Sequence, residues 1–239
     1  RELGSDRLVF DFSFEKNGTS IAAKSIGLSK ENRWLVTANT DGSQTSLIEP
    51  LGNNADKVIV NWSPKGNVLG FSRTGEAMGA DREEILFVGK NGENFKSTVV
   101  EGRGIVPAWS PDGNKLLYSV YSERSDFKPE LWIVNADGDS IGTGRTSLHI
   151  NTWANKCAFH DTRYIYCGVP TQLQNGAGFA PEVANGTPDK LYRIDTLSGT
   201  KIEIPLDDSH TIDTINISED GKNIFFTDKQ KEGIYSVAL

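Results

Sequence analysis

Histidine, cysteine and methionine are scarce in this chain, which carries three, two and one of them among 239 residues. Two cysteines and three histidines so widely separated are too few ligands for a tetrahedral zinc site. No spacing matches a calcium loop either, so neither a metal nor a cofactor is expected. No apolar run reaches the length of a membrane-spanning helix, so this segment is not expected to insert into a bilayer, although an upstream anchor is compatible with it. No signal-peptide pattern opens the chain; it does not begin with Met, so its targeting is left unread. Basic residues are scattered rather than striped and the net charge is −7, which argues against a nucleic-acid backbone as partner. No Gly-x-Ser-x-Gly element marks a nucleophile.

What is present is repetition. Trp62-Ser-Pro-Lys-Gly66 returns as Trp109-Ser-Pro-Asp-Gly113, and in worn form as Ala158-Phe-His-Asp-Thr162 and Ile217-Ser-Glu-Asp-Gly221, at spacings of 47, 49 and 59 residues. Such periods are those of propeller blades, or somewhat above them. In the two full copies an apolar strand meets a turn with Ser first and Pro second, where Pro pre-sets the dihedral and Gly66 or Gly113 closes the turn. A second apolar run follows, at 68–71, 116–120, 164–167 and 224–226, giving a hairpin repeated four times. Each of the first three hairpins is followed by a third strand ending in Asn-Gly, Asp-Gly or Ser-Gly, at 85–92, 131–138 and 191–199. More polar fourth strands are expected at 95–100, 140–148 and 201–206.

Four antiparallel strands per repeat predict an all-β protein: a β-propeller of about five blades, complete in itself or part of a larger one. Residues 1–239 are read as a single domain with blade markers near 1, 62, 109, 158 and 217. At the N terminus, 33–42 aligns with 130–138, which makes 7–15 the second strand of a blade and 16–30 an insertion. Arg1 then takes the place of Trp109, and a segment before Arg1 is expected. The alternative makes 8–14 a closing strand and 19–28 the first inner strand of five complete blades. At the other end, 233–239 is a third strand with no fourth after it.

Trp62-Ser-Pro-Lys-Gly and Trp109-Ser-Pro-Asp-Gly, with Trp132-Ile-Val-Asn-Ala-Asp-Gly138 downstream, resemble TolB-type WD-like β-propeller repeats over nearly the whole chain. More narrowly, 156–170 and 224–239 are similar to the C-terminal part of uncharacterised propeller proteins of candidate-phylum bacteria. The resemblance implies export or membrane anchoring, hence an extracytoplasmic setting that is periplasmic, cell-surface or secreted. It leaves activity open, since the same repeats serve periplasmic scaffolds, peptidase accessory domains and sugar lyases.

The candidate site residues fall into three groups. Loops 72–84, 121–129 and 171–190 join second to third strands and should emerge together, carrying Met78, Tyr121, Arg124, Phe127 and Phe179 as a contact surface for a protein or a surface glycan; the alternative is that these side chains fold back on the blades. His149, Asp208, His210 and Asp213 precede or open inner strands in successive blades and are the best channel-mouth constellation available. Trp153 begins an inner strand near His149 and suits either a sugar platform or buried packing. Cys157 and Cys167 flank the turn 160–163 and lie opposite one another if it centres on Thr162, as a cross-strand disulfide or as two buried thiols. The reading is a non-catalytic extracytoplasmic binding or scaffold module, with a polysaccharide lyase or hydrolase acting at the channel mouth as the alternative.

Overall fold

The computed structural model describes residues 7–239, and these are all-β, with only single-turn 3-10 segments between strands. They form two compact units, one holding residues up to 78 with 83–99 and 137–142, the other holding 79–82, 100–136 and 143–239.

The first unit contains two four-stranded antiparallel sheets. One is β1 (Arg7–Phe14), β2 (Ser20–Gly27), β3 (Arg33–Asn39) and β4 (Ser46–Pro50); the other is β5 (Val58–Val60), β6 (Val68–Ser72), β7 (Glu83–Gly89) and β8 (Thr98–Val100), each running in sequence order. Ala22 and Leu35 of one sheet and Val58, Val60 and Leu69 of the other form a shared core with Trp62, which lies just beyond β5. The second unit contains β9 (Arg103–Trp109), β10 (Lys115–Tyr121), β11 (Glu130–Asn135) and β12 (Thr146–Ser147), then β13 (Cys157–Phe159), β14 (Tyr164–Pro170), β15 (Asp189–Asp195) and β16 (Lys201–Ile204). A three-stranded sheet of β17 (Ile212–Ile217), β18 (Asn223–Asp228) and β19 (Ile234–Ala238) ends the chain. Its apolar face, with Ile212, Ile215, Ile224 and Phe226, packs on Tyr166 and Leu191 of the preceding sheet. The residues between Leu117 and Ile194 supply a second core, which includes Leu131, Ile133, Leu148 and Ile165.

The repeated phrase is explained by local chemistry. Ser110 Oγ accepts the amide of Lys115 at 2.9 Å and donates to Asp112 Oδ1 at 2.6 Å, and Ser218 does the same with Asn223 and Asp220. Gly113 N donates to Ser110 O at 2.9 Å with φ +68°, a left-handed conformation that an L side chain adopts at a cost. The side chain thus closes the turn from within while the glycine reverses the chain.

The N-terminal alignment is corrected by the topology. The segment 7–14 is the first strand of its sheet, not the second, and 20–27 is a paired second strand in register with both neighbours, not part of an insertion or an inner first strand. The first hairpin turn is therefore Phe14-Glu-Lys-Asn-Gly18, where Gly18 N donates to Glu15 O at 2.8 Å and φ is +72°. Phe14 lies as far before Trp62 as Trp62 lies before Trp109, to within a residue. The marker expected near Arg1 falls outside the described residues.

Candidate functional site

The loops that follow β10 and β14 meet. Gly178 N donates to Phe127 O at 2.7 Å and Gly176 N donates to Asp126 O at 2.9 Å, so a short two-bond ladder ties one loop to the other. Asp126 and Phe127 both hold positive φ, 53° and 55°, which turns the first loop sharply enough to present its carbonyls to the second. Ser122 and Ser125 fasten the base of that turn through a reciprocal capping box. On this frame the Phe179 ring sits edge-on to Tyr121 at 5.7 Å and to Phe127 at 6.0 Å. Phe127 and Phe179 remain 41% and 62% exposed. Three of the five residues expected in the contact surface are thus assembled in the second unit.

Arg124 takes a different role from its neighbours. Its guanidinium lies 5.1 Å over the Trp132 ring and reaches Glu130 at 3.3 Å, on the wall of a shallow pocket that His149 also lines. Met78 is exposed in the first unit.

His149 stands with φ +50°, its amide donating to Ser147 Oγ at 3.0 Å. His210 is buried: its Nδ1 is 2.8 Å from Asp228 Oδ2, and its ring packs against Phe226 and Tyr235 at 5.0 and 4.4 Å. Asp208 pairs with Lys231 at 2.6 Å and Asp213 with Lys229 at 3.5 Å. The Lys231 ammonium holds the Asp208 carboxyl below its ordinary range. Among the described residues no three His, Cys, Asp or Glu side chains are grouped to hold a metal.

Cys157 and Cys167 face one another in the β13–β14 register, with Cα atoms 4.1 Å apart, and are joined by a disulfide. Trp153 is buried at the turn before β13, packed with Ala177 and Ala184. It borders a cavity of about 320 Å³ whose polar lining is Asn155, Lys156, Asn185, Thr211 and Lys229. Sequence reasoning finds Trp153 but not the charged pair behind it: the Lys156 ammonium meets both oxygens of Asp189 at 2.7 Å. Burial pushes the lysine's pKa down and the carboxyl's up, so each relies on the other to stay charged. The available signal is a lysine set directly before an apolar inner strand.

No family model matches the chain, and no curated protein matches it. Solved structures do. An oligogalacturonate lyase in complex with manganese is similar at 15% identity and a TM-score of 0.65, over 100% of this chain and 67% of that one. The β-propeller domain of the Trilobed protease from Pyrococcus furiosus is similar at 15% identity and 0.59, over 97% and 68%. A putative TolB from Agrobacterium tumefaciens is similar at 12% identity and 0.57, over 96% and 76%. The chain spans only 25% of the tricorn protease, which it also matches. A lyase, domains of proteases and a putative TolB therefore share this architecture, and at such identities the likeness carries the fold alone. The fold is that of a TolB-like β-propeller, its described residues forming four antiparallel sheets of four strands and one of three.

Proposed function

We propose that the protein is a non-catalytic binding or scaffold module of an extracytoplasmic compartment, and that it holds a protein partner through the paired loops at 122–129 and 171–188. One observation carries this reading: Phe127 and Phe179 are exposed, mutually packed and mounted on loops fixed to each other by backbone hydrogen bonds. Large rigid aromatics in a preorganised surface are the side chains that dominate interface energies, because little entropy is lost when they are covered. The disulfide supports an oxidising setting. No helix among the described residues is long and apolar enough to cross a membrane, which is compatible with that setting. The polar groups offered for catalysis are engaged elsewhere: Asp208, Asp213 and His210 each have a partner inside the last sheet or beside it, and His149 lines a separate pocket.

The test is competition. Purified wild-type protein should displace a cross-linkable copy from its partner in extracts of cells that make it, whereas a chain carrying Phe127→Ala and Phe179→Ala should displace it at least about tenfold less well, as loss of two anchors requires. Equal displacement by the double variant, with its melting temperature unchanged, would remove these loops as the contact surface.

A further inference from the structure

The cavity beside Trp153 lies within the second unit where three successive sheets converge. The turn before β13, the loop between β14 and β15, the approach to β17 and the end of β18 all border it. Its volume, about 320 Å³, is at the lower end of small-molecule pockets. One wall is apolar, made by Trp153, Val106 and Ala184.

The rest of the lining is polar but balanced in charge, with the Lys156 ammonium 6.0 Å over the Trp153 ring. Lys156 is neutralised by Asp189, and Lys229 by Asp213 at 3.5 Å. An ion entering here would meet no net field of the opposite sign. Hydrogen-bonding capacity remains, however. The Lys229 ammonium carries three donors, of which Asn185 Oδ1 takes one at 2.9 Å and Asp213 another. Thr211 Oγ1 donates to Thr187 O at 3.2 Å and keeps its acceptor lone pairs, and Asn155 offers an amide at the exposed rim.

Behind this lining, Asp189 Oδ2 also accepts the amide of Ile212 at 2.7 Å, so the buried pair joins the Trp153 turn to the start of β17. A buried ion pair contributes little net stability compared with an apolar replacement, so its place at a cavity wall is better accounted for by positioning than by stability.

From the apolar patch, the neutral balance and the converging donors and acceptors, we propose that this cavity binds one neutral pyranose sugar, with the C–H face of the ring against the patch of Trp153, Val106 and Ala184 and its hydroxyls on Lys229, Asn185 and Thr211. A ligand with one apolar face and a rim of hydroxyls matches that division. This site borders the loop 171–188 through Ala184 and Asn185 but uses neither Phe127 nor Phe179, and it does not rest on the reading proposed above.

Saturation-transfer NMR on the full chain with the methyl glycosides of glucose, galactose, mannose, xylose and glucuronic acid tests it. At least one neutral glycoside should bind with a Kd of about 1–10 mM, the range open to a ligand of so few atoms. Lys229→Ala and Asn185→Ala, at half-exposed or rim positions where folding is not at stake, should each weaken binding about fivefold or more, as loss of a hydrogen bond to a charged or amide group does. The Phe127→Ala, Phe179→Ala chain should bind the glycoside as the wild type does. The proposal is overturned if no neutral glycoside binds up to about 100 mM, roughly ten times the weakest Kd expected. It is equally overturned if only the glucuronide binds, if both cavity variants bind unchanged, or if the loop variant loses the sugar.

Discussion

Asp189 grips Lys156 with both carboxylate oxygens at 2.7 Å, between side chains exposed by only 0% and 6%. Removing either partner leaves the other charge buried alone, a change that costs about 3–5 kcal/mol. Asp189→Asn and Lys156→Met should each lower the urea midpoint by that amount divided by m, at unchanged m. The double variant should cost far less than the two together, because the orphaned charge is gone. Additive losses in the cycle would mean that the two side chains are not energetically coupled.

The Cys157–Cys167 disulfide spans ten residues of sequence and closes the β13–β14 hairpin. A cross-link over so short a loop restricts the unfolded chain by about 2–3 kcal/mol. Reduction, or replacement of both cysteines by Ala, is expected to lower the melting temperature accordingly, with both thiols alkylated only after reduction. Two thiols that alkylate in the unreduced, unfolded protein would exclude the bond.

How much of this was legible in the sequence depends on how local the physics is. The turns at Trp62 and Trp109 could be read because the serine, the proline and the glycine each act within five residues. The opposition of Cys157 and Cys167 follows from the same turn geometry. Phe14-Glu-Lys-Asn-Gly18 makes the equivalent backbone bond without Ser or Pro, so only Gly18 signals it, and the second strand beyond it passes for an insertion. Phe127 and Phe179 were recognisable as loop aromatics, but their contact depends on amide-to-carbonyl bonds across 50 residues of chain. Lys156 and Asp189 stand 33 residues apart and become a pair only when β15 lies beside β14.

Asp195 responds to acid. The Arg163 guanidinium donates to both its oxygens, at 3.0 and 2.6 Å, and the Leu197 and Ser198 amides donate to Oδ1. The Arg163 bonds are the largest cause that holds this carboxyl far below the ordinary carboxylate range. The folded state therefore binds this proton less readily than the unfolded state, whose pKa is about 3.9. The stabilisation is complete above that pH and is lost as pH falls towards the folded value. In melting temperatures recorded from pH 7 to pH 2, the wild type should fall below about pH 4, and Asp195→Asn should start lower and fall less steeply over the same interval. Parallel curves for the two proteins would mean that Asp195 has the same affinity for protons in both states.

Gly178 offers the sharpest test of the loop surface. A Cβ placed there would stand 2.4 Å from the Tyr121 Cβ and 2.7 Å from the Phe127 carbonyl oxygen, the acceptor of its own amide. Neither is the free end of a flexible side chain, so Gly178→Ala must push the two loops apart. The sheets beneath have cores that do not include this residue. The expected outcome is faster amide exchange across 122–129 and 174–180, with the strand cores unchanged and a melting-temperature loss of a few degrees, equivalent to about 1 kcal/mol. Partner displacement should fall even though Phe127 and Phe179 are both still present. That combination separates preorganisation from contact area: if binding depends only on the aromatic surface, Gly178→Ala binds as the wild type does, and if the fixed arrangement of the loops matters, it weakens in step with their exchange.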